Sequence, residues 1–264
     1  MTQDKRWSSG EFCWYELGTT DIASAKGFYG EMFGWGHEDL SMGGTGSYTL
    51  WKQQGEAIGG LYKLEGPMFE GVPPHWMTYV AVDSVDKDIE KAKSLGGEVF
   101  MGPHDVPGVG RVAFVKDPQG AAIAMYQEAG NPGTARWDSP PLGTIAWPEL
   151  MTTDMNGATA FYTQLFGWGT KASDMGPTRY TEWQVAGSSV GGCMVLPPEA
   201  AGVPPHWMNY VTVGDCDAAV RKAQEMGARV VFGPMDIPNV GRFAALLDPQ
   251  GAGISIIKLG SQTA

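Results

Sequence analysis

The pentapeptide Pro-Pro-His-Trp-Met occurs twice, at residues 73–77 and 204–208, and holds two of the chain's four histidines, His75 and His206. Glutamates recur at a similar separation of about 130 residues: Glu16 in Trp14-Tyr15-Glu16-Leu17 and Glu149 in Trp147-Pro148-Glu149-Leu150. Tyr79 and Tyr210 follow the two histidines at equal distance. Glutamate and histidine can exchange protons near neutral pH, because burial raises a carboxylate's pKa and an adjacent carboxylate raises a histidine's. Such a set could abstract a proton, isomerise or hydrolyse a small molecule. The structural alternative is that Glu16 and His75 satisfy one another or nearby backbone groups at a sheet seam.

Other reactive types carry less. Arg111 and Arg242 close two matching stretches, Asp105 to Arg111 and Asp236 to Arg242, whose Gly and Asn suit hairpin turns. Each guanidinium could bind a ligand carboxylate, or pair across its hairpin with Asp117 or Asp248. Gly43, Gly44 and Gly46 form a loop without a following Gly-Lys-Ser/Thr, which argues against a phosphate cradle. Cys13, Cys193 and Cys216 are odd in number, lack Cys-x-x-Cys spacing and read as small buried thiols. His37 and His104 have no repeated counterpart and read as surface residues.

The repeats extend along the whole chain. Phe28-Tyr29 returns as Phe161-Tyr162, Phe33-Gly34-Trp35 as Phe166-Gly167-Trp168, Gly59-Gly60 as Gly191-Gly192, and Asp117-Pro118-Gln119-Gly120 as Asp248-Pro249-Gln250-Gly251. A unit of roughly 130 residues, the size of a domain, therefore occurs twice. The expected boundaries are 9–129 and 142–260, joined by a Gly/Pro-rich linker over 130–141.

Each unit reads in the same order. A strand over Glu11–Leu17 precedes a helix capped near Thr20-Asp21 and running to Met32, with Ile22, Ala25, Phe28, Tyr29 and Met32 on one apolar face. Phe28-Tyr29 is therefore read as core. Strands follow around Ser47–Lys52 and Ala57–Tyr62. The pattern then restarts: a strand over His75–Val82, a helix over Ser84–Leu95 ended by Gly96-Gly97, and strands near Val99–Met101, Val112–Val115 and Ala122–Tyr126. The fold class is α+β, with antiparallel hairpins leaving one sheet face free to line a cavity.

This order, with Thr20-Asp21, Phe28-Tyr29, Phe33-Gly34-Trp35, Val82-Asp83, Gly96-Gly97 and Asp117-Pro118-Gln119-Gly120, resembles the vicinal-oxygen-chelate superfamily of glyoxalase I, extradiol dioxygenases and bleomycin-resistance proteins. The resemblance covers nearly all of 11–258 and implies two tandem domains, each a pair of βαβββ modules forming an open barrel-like sheet around a pocket. Metal enzymes of that family place His or Glu on the first strand of each module and Glu on the last. Those positions here map to Trp14, Met77 and Ala124 in the first half and to Trp147, Met208 and Ser255 in the second, while Gly59-Gly60 and Gly191-Gly192 offer no donor. Such side chains do not supply the converging oxygen and nitrogen donors of a divalent metal site. No metal or other cofactor is expected.

Strand alternation then turns Glu16 the same way as Trp14, and His75 and Tyr79 the same way as Met77. Glu149, His206 and Tyr210 follow Trp147 and Met208. The candidate catalytic set is Glu16, His75, Tyr79, Glu149, His206 and Tyr210; Trp14, Trp147, Met77, Met208, Tyr126, Arg111 and Arg242 are candidate ligand contacts. This describes a mostly apolar small-molecule site with a few orienting polar groups. The expected function is a small-molecule-binding protein lacking the family metal site; the alternative is an active glyoxalase-type lyase, or a dioxygenase or hydroxylase, acting on a small carbonyl or aromatic substrate.

Composition fits a folded chain, 43% hydrophobic and 18% charged, and the net charge of −11 repels phosphate backbones, so nucleic acid is not an expected partner. No apolar run is long enough to span a membrane and no secretory leader is evident. A cytoplasmic monomer or homodimer is expected.

Overall fold

The computed structural model describes residues 7–41, 47–130, 133–137, 140–175, 178–200 and 202–260. The glycine loop at 43–46 and part of the expected linker, 131–132 and 138–139, lie outside the described residues.

The first half runs β1 (Phe12–Thr19), α1 (Ile22–Phe33), β2 (Gly36–Ser41), β3 (Ser47–Gln53), β4 (Glu56–Lys63), β5 (His75–Ala81), α2 (Val85–Ser94), β6 (Glu98–Val106), β7 (Gly110–Lys116) and β8 (Ala122–Glu128). The second half repeats it as β9 (Ile145–Thr152), α3 (Met155–Phe166), β10 (Gly169–Met175), β11 (Thr178–Val185), β12 (Ser188–Val195), β13 (His206–Thr212), α4 (Cys216–Glu225), β14 (Arg229–Ile237), β15 (Gly241–Leu247) and β16 (Gly253–Leu259). Each half makes one mixed eight-stranded sheet, ordered β2-β3-β4-β1-β5-β8-β7-β6 and β10-β11-β12-β9-β13-β16-β15-β14. Neither sheet closes into a barrel.

Local chemistry sets the helices. Asp21 caps α1 by accepting from the Ser24 amide, and Asp154 caps α3 by accepting from the Asn156 and Gly157 amides. Gly34 and Gly167 end the two helices at φ 72° and 71°, where a side chain would be strained. Strand β2 was not legible as a strand, because GHEDLS is almost wholly polar and exposed; its pairing with β3 supplies the order instead.

The chain divides into two compact units that interleave the repeats. One holds the segment ending at Trp14, Met77–Gly133 and Trp147–Met208; the other holds Tyr15–Trp76, Thr134–Ala146 and the segment beginning at Asn209. In the first, Tyr162 stacks on Trp168 at 5.6 Å and meets Trp207 edge-on at 5.4 Å. In the second, Tyr29 stacks on Trp35 at 5.5 Å and meets Trp76 edge-on at 5.4 Å. Phe28-Tyr29 and Phe161-Tyr162 are buried core, as their helical spacing indicated. The three cysteines are buried thiols, and burial pushes Cys193 up to about 12 and Cys216 up to about 11, which keeps them poor nucleophiles. Among the described residues no helix is long and apolar enough to cross a membrane.

Candidate functional site

The repeated pentapeptide divides its labour between two sheet faces. Trp76 turns toward α1, where its indole N–H donates to the Tyr29 hydroxyl at 2.9 Å, and Trp207 does the same to Tyr162 at 3.1 Å. The neighbouring histidines turn to the opposite face. His75 Nδ1 lies 2.9 Å from the Pro73 carbonyl and His206 Nδ1 2.8 Å from that of Pro204. A carbonyl only accepts, so Nδ1 carries the proton and Nε2 of the neutral ring keeps its lone pair. Burial lowers the pKa of His206, opposed by the bond to Pro204.

In the unit containing Tyr15–Trp76, β1 and β4 run parallel with Glu16 opposite Gly60. On β3, Leu50 pairs with Gly60 and Tyr48 with Tyr62, placing Tyr48 on the same face. The Tyr48 hydroxyl crosses Gly60 and donates to Glu16 Oε1 at 2.6 Å. A Cβ on Gly60 would collide with that hydroxyl, and one on Gly59 would press the Tyr15 carbonyl. The Gly-Gly pair is therefore what lets tyrosine reach glutamate. The Tyr62 hydroxyl stands 3.5 Å from His75 Nε2, long for a hydrogen bond. Burial, with the charge of Glu16 adding to it, pushes the Tyr62 phenol well up. Tyr62 thus lies beside both Glu16 and His75.

The other unit repeats the device with a change. Glu149 stands opposite Gly192, the Tyr180 hydroxyl donates to Glu149 Oε2 at 2.7 Å, and the Trp147 indole donates to that hydroxyl at 2.7 Å. Glu149 and Tyr180 are buried, and Met194 takes the place of Tyr62 in the strand pairing. Tyr48 and Tyr180 did not emerge from sequence reasoning, although each begins a repeated Tyr-Thr pair about 130 residues apart.

Tyr79 and Tyr210 head aromatic ladders. In the unit with Met77–Gly133, Tyr79 meets Phe114 at 5.7 Å, and Phe114 meets Phe100 at 6.1 Å and His104 at 6.2 Å. In the unit with Asn209 onward, Phe243 meets Tyr210 and Phe232, each at 5.9 Å. Exposed His104 is thus a ring-stacking residue as well as a surface one. Tyr126 donates to the Val109 carbonyl at 3.0 Å and joins Trp7, Asp83 and Glu128 around a cavity of about 250 Å³.

The arginines do pair across their hairpins, but with the directly opposite Asp105 and Asp236 and not with the expected Asp117 and Asp248. Arg111 bonds Asp86 at 2.9 Å and Asp105 at 3.0 Å, and Arg242 bonds Asp217 at 2.7 and 2.9 Å and Asp236 at 3.2 Å. Asp86 and Asp217 lie in the first turns of α2 and α4, so both guanidiniums face the helices. Asp117 and Asp248 instead take the buried hydroxyls of Tyr162 at 3.1 Å and Tyr29 at 3.0 Å.

A sequence profile decides the family: that of the Glyoxalase/Bleomycin resistance protein/Dioxygenase superfamily matches residues 12–125 and again 144–256. The chain belongs to this superfamily. A member named as a glyoxylase, CFP32 of Mycobacterium tuberculosis, is 38% identical over 264 residues, covering 99% of this chain and 100% of that one. The anthracycline biosynthesis protein DauV of Streptomyces sp. is 34% identical, covering 96% and 95%. Among solved structures, the Mn(II)-bound glyoxalase of Novosphingobium aromaticivorans superposes with a TM-score of 0.61 at 18% identity, covering 95% of this chain and 82% of that one; at that identity the likeness is one of fold.

Metal-binding members invite a test of the side chains present. The mapped ligand positions hold the indoles of Trp14 and Trp147, the thioethers of Met77 and Met208, the methyl of Ala124 and the hydroxyl of Ser255. Carboxylates do lie on the first strands, but Glu16 and Glu149 each take a tyrosine hydroxyl. Among the described residues no group of three or more His, Cys, Asp or Glu is arranged to hold a metal ion. This donor set does not fit the hard or borderline divalent ions that gather oxygen and nitrogen ligands.

Proposed function

We propose that this chain is a metal-independent member of the superfamily that binds an apolar, aromatic small molecule carrying oxygen substituents. The observation that carries this reading is the Tyr–Glu pair, built twice across a glycine, on the same strands where metalloenzyme relatives are expected to carry ligands. A carboxylate has acceptor capacity beyond one tyrosine proton, so each pair can orient a ligand hydroxyl. Tryptophan, methionine and phenylalanine supply the apolar contact, as small-molecule sites require. The kinship with an anthracycline biosynthesis protein supports fused, oxygenated aromatic rings as the ligand class.

The test combines elemental mass spectrometry on natively purified protein with titration of 1,8-dihydroxyanthraquinone, followed by tryptophan quenching. Binding that survives chelation, at well under one metal per chain, and that weakens in Glu16→Gln or Glu149→Gln is expected. One or two tightly held metals per chain, with binding abolished by chelation, would sink the reading.

A second reading is an enzyme of the glyoxalase or dioxygenase type working on a small carbonyl or aromatic substrate. It is favoured by the placing of Tyr62 beside both His75 Nε2 and Glu16, which could pass a proton to and from a substrate. Its mark would be turnover lost in His75→Gln while dye binding persists.

A further inference from the structure

The two aromatic ladders occupy equivalent strands but are not equivalent sites. On the first, Tyr79 and Phe114 both stand directly opposite Ala124, one on either side. Residues opposite one another share a sheet face, so the two rings, 5.7 Å apart, close over the alanine methyl. On the second, Tyr210 and Ala245 stand on either side of Ser255. The phenyl ring that covers Ala124 is thus absent over Ser255, where the repeat substitutes an alanine. The second ladder's phenylalanine is Phe243, two residues earlier on β15, and it flanks the position instead of filling it.

Two further observations point to a ligand there. Ser255 is only 1% exposed and its hydroxyl has no hydrogen-bond partner, an arrangement that is costly unless something else satisfies the group. The face is also apolar, and it is exposed at its β14 edge: Phe232, paired with Ala245, is 43% exposed, and Met235, paired with Phe243, is 41% exposed. The equivalent first face is more polar. Met235 replaces His104 and Leu247 replaces Lys116, whose ammonium sits 5.3 Å over the Phe100 ring. The position lacks the ring that Phe114 supplies in the first half, Tyr210, Phe243 and Phe232 stand around it, and the hydroxyl at its centre is buried without a partner.

We propose that this face of β13, β16, β15 and β14 binds an uncharged planar aromatic molecule whose carbonyl or hydroxyl oxygen pairs with Ser255, and that Phe114 closes the corresponding first face. The inference deepens the aromatic-ligand reading above and rests on it. It makes the duplicated halves functionally unequal: one open aromatic wall and one filled by its own side chain.

The experiment is calorimetric titration of 1,8-dihydroxyanthraquinone into the whole chain and its variants. On this face the wild type is expected to take one probe per chain. Ala245→Phe, which copies the filled face, should weaken binding at least tenfold, and the near-isosteric Ser255→Ala, which tests the hydroxyl without filling space, should weaken it by about two- to tenfold. The double variant F114A/A124S, which copies the second half's residues into the first, should add one bound probe per chain to the wild-type stoichiometry. Wild-type affinity in both Ala245→Phe and Ser255→Ala, with binding still weakened by Glu16→Gln or Glu149→Gln, would overturn this inference and leave the aromatic-ligand reading standing. No binding by the wild type would overturn both.

Discussion

The Tyr29 hydroxyl donates to Asp248 Oδ2 at 3.0 Å across 219 residues of sequence, and Tyr162 repeats the bond to Asp117 at 3.1 Å. Each tyrosine also accepts the indole N–H of the tryptophan in the repeated pentapeptide. Three motifs that look independent in the sequence, Phe-Tyr, His-Trp and Asp-Pro-Gln-Gly, are therefore parts of one buried relay. The aspartate's other oxygen holds its own turn, accepting from the amides of Gln250, Gly251 and Ala252 in the second half.

Removing the hydroxyl alone leaves one aspartate oxygen and the indole N–H without their shared partner. Tyr29→Phe and Tyr162→Phe are each expected to lower unfolding stability by about 1–3 kcal/mol, the usual cost of leaving a buried polar group unpaired. Urea denaturation followed by tryptophan fluorescence reads this directly. Midpoints unchanged from wild type would show that the relay contributes nothing to stability.

Gly60 tests whether the Tyr48–Glu16 contact is built or incidental. A methyl at residue 60 meets the Tyr48 hydroxyl, so Gly60→Ala must move the ring and break its 2.6 Å bond to Glu16. The substitution is expected to cost about 1–3 kcal/mol in the wild type and distinctly less in a Tyr48→Phe background, where the colliding oxygen is already gone. A double-mutant cycle measures the coupling; strictly additive costs would count against the arrangement.

How much of this was legible in the sequence depended on how local the physics is. Caps such as Asp21 and Asp154, terminating glycines and the apolar helix faces act within a few residues, so the helices could be read closely. The turns at Gly108 and Asn239, both at positive φ, were equally local. Cross-strand chemistry was not. Tyr48 reaches Glu16 only through the register of three strands, and nothing in the composition of residues 36–41 announces the strand that borders them. The arginines show both cases: Asp105 and Asp236 are partners within the very stretches the arginines close, whereas the second partners, Asp86 and Asp217 on α2 and α4, are 25 residues away and were not legible. The unequal ladders were hidden by the duplication itself, because strong repeats such as Pro-Pro-His-Trp-Met draw attention from the places where Phe114 gives way to Ala245 and Ala124 to Ser255.

The half-buried His206 gives a pH prediction with a definite sign. Burial lowers its folded pKa, so as pH falls through about 6.5 the unfolded chain takes up a proton before the folded one does. Its stabilising contribution is present above that pH and is lost progressively as pH falls toward the folded value. Comparing wild type with His206→Asn at intervals from pH 8 to pH 5 isolates this from the carboxylates, and the stability difference should shrink on acidification. A difference independent of pH would show that the imidazole is not held neutral by its surroundings.

The arginines supply the last test, because their geometry separates surface ion pairing from ligand recognition. Arg111 and Arg242 sit on β7 and β15 but point at the first turns of α2 and α4, on the opposite face from Phe114 and Ala245, whose sequence positions differ from theirs by three. Arg111→Ala and Arg242→Ala should therefore leave the affinity for 1,8-dihydroxyanthraquinone unchanged. Salt should matter more than the probe does: exposed pairs such as Arg111–Asp86 are screened, so any loss of stability in these variants should diminish between low and high ionic strength. A tenfold loss of dye affinity in either variant would return the guanidinium to the ligand and require the helix-facing side of the sheet, not the aromatic face, to be the one that binds.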